Sequence, residues 1–307
     1  MLAFPAASQG FPAKPVRFIV PAVAGGPQDL VARIVSQKLT DAWGQQILIE
    51  NRPGAGGIIA TEAGAKAPAD GYTWLMNISA FTTNPHLYKK LPYDTHKDFT
   101  PVTLLVAFPL LLSAHPSLPA RSVRELVALA RARPGELNYG SPGVGTSPHL
   151  AMELFRTMAN IKLTHVPYKS GPGPTNGILA GEISFYFNSI TTPLPHIRSG
   201  RLRALALSGT KRDPLLPEVP TIAQSGYPGY EVIAWFGVLL PAETPSDIVS
   251  KAQSDVARAL HLPETRQRFA AEGMEPVGNS SKEFGAFLAN ELKKWGKVVA
   301  DAGVRLE

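Results

Sequence analysis

The chain has 307 residues, 44% hydrophobic and 18% charged, which suits two domains or one large one and excludes disorder as the main state. It holds no Cys, so disulfide scaffolds, thiolate metal sites, cysteine nucleophiles and iron–sulfur clusters are excluded. The formal net charge is +6, but Lys and Arg stand singly or in short pairs such as Lys89–Lys90, Lys211–Arg212 and Lys293–Lys294, so a solvated basic surface is read and no nucleic-acid partner.

In chain order, the stretch from Met1 to Val16 lacks the basic start and apolar length of a complete signal peptide, although Ala6-Ala7-Ser8 resembles the small-residue end of one. A trimmed exported protein fits it. Val16–Val20 is a β-branched run and reads as a buried strand. After the loop PAVAGGP, Leu30, Val31, Ile34, Val35 and Leu39 recur at helical spacing, ending near Trp43-Gly44. Ile47–Glu50 is the next strand, NRPGAGG a turn, Ile58 to Lys66 a small-residue helix, and Tyr72–Asn77 a third strand. This alternation predicts parallel pairing.

The apolar stretch Val102 to Leu112 is broken by Pro109 and falls far short of the ~20 residues of a membrane-spanning helix. Ser122 and Glu125 predict a capping box on a helix to Arg133. A second α/β unit follows: strand Leu137–Gly140, loop Ser141 to Pro148, helix His149 to Ala159 and strand Leu163–Val166. It continues with the loop KSGPGP, a short helix to Leu179, strand Ile183–Phe187, helix Pro193 to Ser199 and strand Leu202–Leu207. Asp213 to Gly229 reads as a connection and Glu231–Leu240 as a strand; helices are expected at Ser246–Leu260, Glu264–Glu272 and Ser281–Ala302, the last carrying Glu291 and Trp295 on one face. The 27 Gly and 29 Pro have no collagen period and mark the sharp loops between these elements.

Enzyme and nucleotide signatures fail. Gly145 is followed by Thr146 where a Walker A loop needs Lys; G-x-G-x-x-G breaks at Ile59 and at Pro148; Tyr139 stands where a nucleophile elbow at Ser141 needs Gly. The seven His have no metal-ligand spacing, and no cofactor is implied. A hydrolase built from Ser141, His149 and a remote acid is kept as a rival reading.

Two strand-to-helix loops carry chemistry. Ala22 to Asp29 can bring backbone N–H groups and a helix N-terminus to an anion. Gly140 to Ser147 has the same context and adds the hydroxyls of Ser141, Thr146 and Ser147, each able to donate to a carboxylate. Two tight turns with nothing bound is the competing reading. Asp29 can serve the helix dipole and pair with Arg33 four residues on, or it can meet a ligand.

The chain resembles the extracytoplasmic solute-binding proteins of tripartite tricarboxylate transporters, the Bordetella uptake gene (Bug) family. The resemblance lies in KPVRFIVPAVAGGPQDLVARIVSQKL (14–39), IENRPGAGGIIATEAGAKAPADGYT (49–73), NYGSPGVGTSPHLAMELF (138–155), VPYKSGPGPTNGILAGEI (166–183), LPHIRSGRLRALALSG (194–209) and EVPTIAQSGYPGYEVIAWFGVLLPAETP (218–245), in the family's order. It implies a two-lobed α/β Venus flytrap of periplasmic type, with lobe crossings near Leu105–Leu112 and Tyr227–Trp235. It implies no catalysis, a periplasmic location, an organic carboxylate ligand and membrane permease subunits as partners; a monomer is expected. The lobes are read as 1–106 with 228–307, and 107–227.

The ligand-binding set expected from both lines is Val23, Ala24, Gly25, Gly26, Pro27, Gln28 and Asp29 in the first loop, Ser79 and Phe81, then Ser141, Val144, Gly145, Thr146 and Ser147 in the second loop, with Asn188 and Trp235. The family often has Thr at the place of Gln28 and Asp at that of Asn188. Either Asn188 argues for a plain acid over an amino acid, since an ionised Asp would favour a ligand ammonium, or it simply pairs with backbone. Phe81, Trp235 and Phe236 are either core or apolar walls; if two of them faced the ligand, an aromatic, terephthalate-like acid would be expected. A ligand sensor signalling to a membrane partner is a further alternative.

Overall fold

The computed structural model describes residues 10–168 and 172–303. Ala6-Ala7-Ser8 and the first three residues of KSGPGP lie outside the described residues. The first unit is β1 (Val16–Val20), α1 (Pro27–Trp43), β2 (Ile47–Asn51), α2 (Ile58–Ala65) and β3 (Thr73–Ile78). β1 lies between β2 and β3, parallel to both, with Phe18 opposite Ile49 and Trp74. Val16, Ile19 and Val20 are fully buried, as a continuous β-branched run between covered faces requires.

After β3 comes α3 (Ala80–Leu87), then β4 (Phe99–Ala114), a 16-residue strand. The second unit is α4 (Val123–Ala132), β5 (Asn138–Ser141), α5 (Ser147–Ala159), β6 (Thr164–Pro167), α6 (Gly173–Leu179), β7 (Phe185–Ser189), α7 (Leu194–Arg198) and β8 (Arg203–Leu207). β5 is parallel to β6 and β7. The chain returns through β9 (Ile233–Pro241), α8 (Ser246–His261), α9 (Pro263–Ala271), β10 (Glu275–Pro276) and α10 (Ser281–Ala302).

β4 joins two α/β lobes. Its stretch from Phe99 to Pro109 pairs with β9, while Leu110 to Ala114 pairs with β7 on one side and Leu111 to Ala114 with β8 on the other. The handover falls at Pro109, where the absence of a backbone N–H ends one ladder at no further cost. Ser208 secures it: the Leu110 N–H donates to Ser208 Oγ at 2.7 Å, the hydroxyl donates on to the Val232 carbonyl at 2.5 Å, and the Ser208 N–H donates to the Leu110 carbonyl at 2.8 Å. One fully buried serine thus ties the outgoing and returning strands together.

The expected elements are present with ends shifted by one to three residues. α3 and β10 are additions. The Ser122 cap forms, with Oγ accepting from the Glu125 N–H at 3.2 Å, but the Glu125 carboxylate accepts from Arg121 N–H at 2.6 Å rather than from Ser122, so the full box is absent there. The complete box is at Ser280 and Glu283 on α10. α10 is anchored by Glu291, whose Oε2 accepts from Trp295 Nε1 at 2.7 Å and from Trp235 Nε1 at 3.1 Å. Among the described residues no helix is long and apolar enough to cross a membrane.

Candidate functional site: two turns at the strand ends

The loops that follow β1, β3, β5 and β7 leave the carboxyl ends of strands, where open α/β sheets place their ligands. In the first turn Val23, Ala24 and Gly25 are exposed, while Gly26, Pro27 and Gln28 are half-buried. Gly25 has φ +82°, a left-handed conformation that a β-carbon disfavours. α1 then begins at Pro27, whose missing N–H is one of the four a helix start leaves unpaired, and no side chain caps the others.

Asp29 is turned inward, 2% exposed. Its Oδ2 accepts from the Gly25 N–H at 2.9 Å and from Arg33 Nε at 2.8 Å; its Oδ1 accepts from Arg33 Nη2 at 3.1 Å and Asn51 Nδ2 at 3.0 Å. Burial alone would raise its pKa, but the bonds from Arg33, Gly25 and Asn51 outweigh it and hold the carboxyl below its ordinary range. All of its strong acceptor capacity serves the turn. The local reading of Asp29 is the one realised, with Arg33 as its partner.

The second turn is built over a buried polar cluster. β5 alternates so that Tyr139 and Ser141 both point into the interior, 1% and 0% exposed. Ser141 Oγ lies 2.7 Å from His165 Nε2, donates to the Gly143 carbonyl at 3.1 Å and accepts from the Gly143 N–H at 3.2 Å. The hydroxyl expected to meet a carboxylate instead shapes the turn. His149, 2% exposed, accepts the Gly145 N–H on Nδ1 at 3.3 Å. The His149 and His165 ring centroids lie 4.4 Å apart with the planes tilted by 38°, and Tyr139 stacks on His165 at 4.8 Å. Burial and the neighbouring His165 push His149 down to about 3, and burial pushes His165 down to about 4, so both rings are neutral at neutral pH. Below them the Tyr139 hydroxyl donates to Glu153 Oε1 at 2.6 Å and Arg156 Nε donates to Glu153 Oε2 at 2.7 Å. Burial works to raise Glu153, yet these two partners hold its pKa below the ordinary value. Ser141 and His149 are not partners, so the hydrolase pairing is not assembled.

Thr146 stands at the N-cap of α5 but gives its hydroxyl to the Gly143 carbonyl, 2.7 Å away, and leaves the first-turn N–H groups uncapped. The two turns thus share one property: an uncapped helix start without a cationic side chain, since residues 22–29 and 140–147 contain no Lys or Arg.

The two lobes meet beside the second turn. Ser79 Oγ, after β3, lies 2.6 Å from Ser147 Oγ. Thr83 Oγ1 on α3 donates to the Gly145 carbonyl at 2.9 Å. A β-carbon on Gly56 would stand 3.4 Å from the Val144 carbonyl oxygen. Half-buried Asn188, at the end of β7, donates through Nδ2 to the Tyr186 hydroxyl at 2.8 Å and accepts the Ser189 N–H at 2.8 Å.

The aromatic candidates are packed elsewhere. Phe81 is 3% exposed among Tyr93 and Phe99, Trp235 is fully buried against Phe284 and Phe287, and Phe236 lies edge-on to Phe108. Sequence reasoning overlooked Thr83, Asn84 and His165. The run TTNP, with two β-branched residues and an internal Pro, carries no helical signature, and an isolated His on a short strand gives no signal.

Two α/β lobes joined by shared strands, each with a strand-to-helix turn at a strand end, define a two-lobed binding protein of periplasmic type. The chain matches the family described as "Tripartite tricarboxylate transporter family receptor" over residues 31–304 and belongs to it. It is similar to the protein BugT of Bordetella pertussis, 36% identical over 309 residues that cover all of this chain and 94% of the relative. Among solved structures it is similar to Rhodopseudomonas palustris Rpa4515 with adipate, at a TM-score of 0.91 and 37% identity over 96% of this chain and 99% of the other. It is also similar to MatC (Rpa3494) of R. palustris with bound malate, at a TM-score of 0.86 and 31% identity over 94% of this chain and 100% of that one. The family consists of solute-binding receptors of transporters, and the chain is a receptor, not an enzyme.

Proposed function

We propose that this receptor captures an aliphatic dicarboxylate of about four to six carbons in the periplasm, as a monomer, and hands it to a membrane permease of a tripartite transporter. The observation that carries the reading is the pair of uncapped helix starts, α1 and α5, one on each lobe, with the α5 start in contact with Ser79 of the first lobe. Each offers N–H donors and a favourable dipole to one carboxylate. Similarity to structures holding adipate and malate supports the same ligand class.

Three features narrow it. The Asp29 carboxylate is spent on Gly25, Arg33 and Asn51, and the Asn188 amide on Tyr186 and Ser189, which leaves no free acid at either place for a ligand ammonium. Phe81, Trp235 and Phe236 are engaged in core contacts, which favours aliphatic over terephthalate-like acids. The lobe division 1–106 with 228–307, and 107–227, is in keeping with the β4 handover after Pro109 and the return of β9 at Ile233.

Calorimetric titration of the ligand-free protein with adipate, malate, succinate, terephthalate and benzoate tests the reading. Adipate or another aliphatic diacid should bind at least about tenfold more tightly than benzoate, a difference of about 1.4 kcal/mol. Preference for the aromatic acids, or no binding of any diacid, would overturn it.

A further inference from the structure

Among the helices, α3 has an unusual buried face. Ser79, Thr82, Thr83 and Asn84 are all at most 2% exposed, so the segment buries polar groups where a helix of eight residues would ordinarily bury an apolar stripe. Thr82 Oγ1 donates to the Ser79 carbonyl at 2.8 Å. The others reach outward. Thr83 Oγ1 donates to the Gly145 carbonyl on the other lobe, and Ser79 Oγ pairs with Ser147 Oγ there. Asn84 Nδ2 donates to the Gly56 carbonyl at 3.3 Å.

Gly145 is the residue these groups surround. Its φ is +82°, and a β-carbon there would come within 2.9 Å of Leu87 Cδ1, 3.2 Å of Thr83 Oγ1 and 3.4 Å of Asn84 Oδ1. Its N–H is taken by His149 of its own lobe and its carbonyl by Thr83 of the opposite lobe. One amino acid of the ligand turn is thus held from both lobes. Asn84 Oδ1 is buried without a hydrogen-bond partner beside it.

We infer that α3 is the closure latch of this receptor, with Thr83 and Ser79 as positioning residues that seat the Gly143–Thr146 turn when the lobes come together. The inference rests on the carboxylate-receptor reading above. Two interlobe hydroxyl contacts favour closure, and a ligand that contacts both lobes adds to them, as a population shift requires. Seating the turn also fixes the uncapped N–H groups at the start of α5 for the ligand.

The test uses the full chain with adipate as the probe. Calorimetry on wild type, Thr83→Val, Thr83→Ser and Ser79→Ala is combined with hydrogen exchange of the 143–147 segment, free and adipate-saturated. Thr83→Val, which keeps the shape and removes the hydroxyl, should weaken adipate about tenfold and speed exchange of the segment. Thr83→Ser should stay within about threefold of wild type, and Ser79→Ala should weaken binding independently. A Thr83→Val protein with unchanged affinity and unchanged exchange would overturn the latch. If wild type binds no diacid, the carboxylate reading fails by itself. The latch is then judged on the free protein, where faster exchange in Thr83→Val supports it and equal exchange overturns it.

Discussion

His149 and His165 remain neutral in the folded chain well below the pH at which a free imidazole takes up a proton. His149 is held at about 3 and His165 at about 4, against an ordinary 6.5. Between pH 6.5 and about 4 the unfolded chain therefore binds protons that the folded chain refuses. The stabilisation from the pair is complete above about pH 6.5 and is lost as the pH falls toward the folded values. Glu153, whose folded pKa is depressed, adds to the loss at the acid end. Urea denaturation at a series of pH values should show stability declining steeply from about pH 6.5 to about pH 4, by an amount of the order of a few kcal/mol. His165→Gln should flatten that slope; an unchanged slope would mean that these rings titrate freely in the fold. The same chemistry gives the site its form, because only a neutral His149 can accept the Gly145 N–H.

At the scale of the element, two helix starts are capped by side chains, α4 by Ser122 and α10 by Ser280, whereas α1 and α5, like the remaining helices, have no side-chain cap. A cap stabilises a helix by satisfying N–H groups; an absent cap leaves them for something else. Ser280→Ala should therefore cost about 1 kcal/mol of stability, read by denaturation, with little change in adipate affinity. A loss of affinity comparable to the loss of stability would tie α10 to the site and contradict this division. The sequence displayed most of these elements because their signals are local: a β-branched run at β1, 3.6-residue spacing in α1, Pro and Gly at the stops. α3 stayed hidden since Thr82, Thr83 and Pro85 are poor helix residues, and what holds the segment is contact with Gly56 and Gly145, far away in the chain.

Across the whole molecule, the +6 charge and the two turns proposed to hold an anion are separate features. Neither turn contains Lys or Arg, and Arg33 is committed to Asp29. On the proposed reading, close recognition rests on N–H dipoles, and the basic surface acts only at long range, where salt screens it. Raising NaCl from about 0.05 to about 0.5 M should change the equilibrium affinity for adipate by less than about threefold, measured by calorimetry. A loss of tenfold or more would put a cationic side chain against the ligand.

The sequence by itself determined the two α/β units, the family, and the two strand-to-helix turns, because strand and helix periodicity and turn glycines are encoded within a few residues. It also determined that Asp29 could pair with Arg33, one helical turn away. Only the tertiary structure decided where the side chains of those turns point. It turned Ser141 inward to His165, gave Thr146 to the Gly143 carbonyl, set Trp235 on Glu291, and placed Thr83 on Gly145. Each of these choices joins residues from different elements. The pairing energy depends on packing that brings distant segments to hydrogen-bond distance, and no local pattern carries that information.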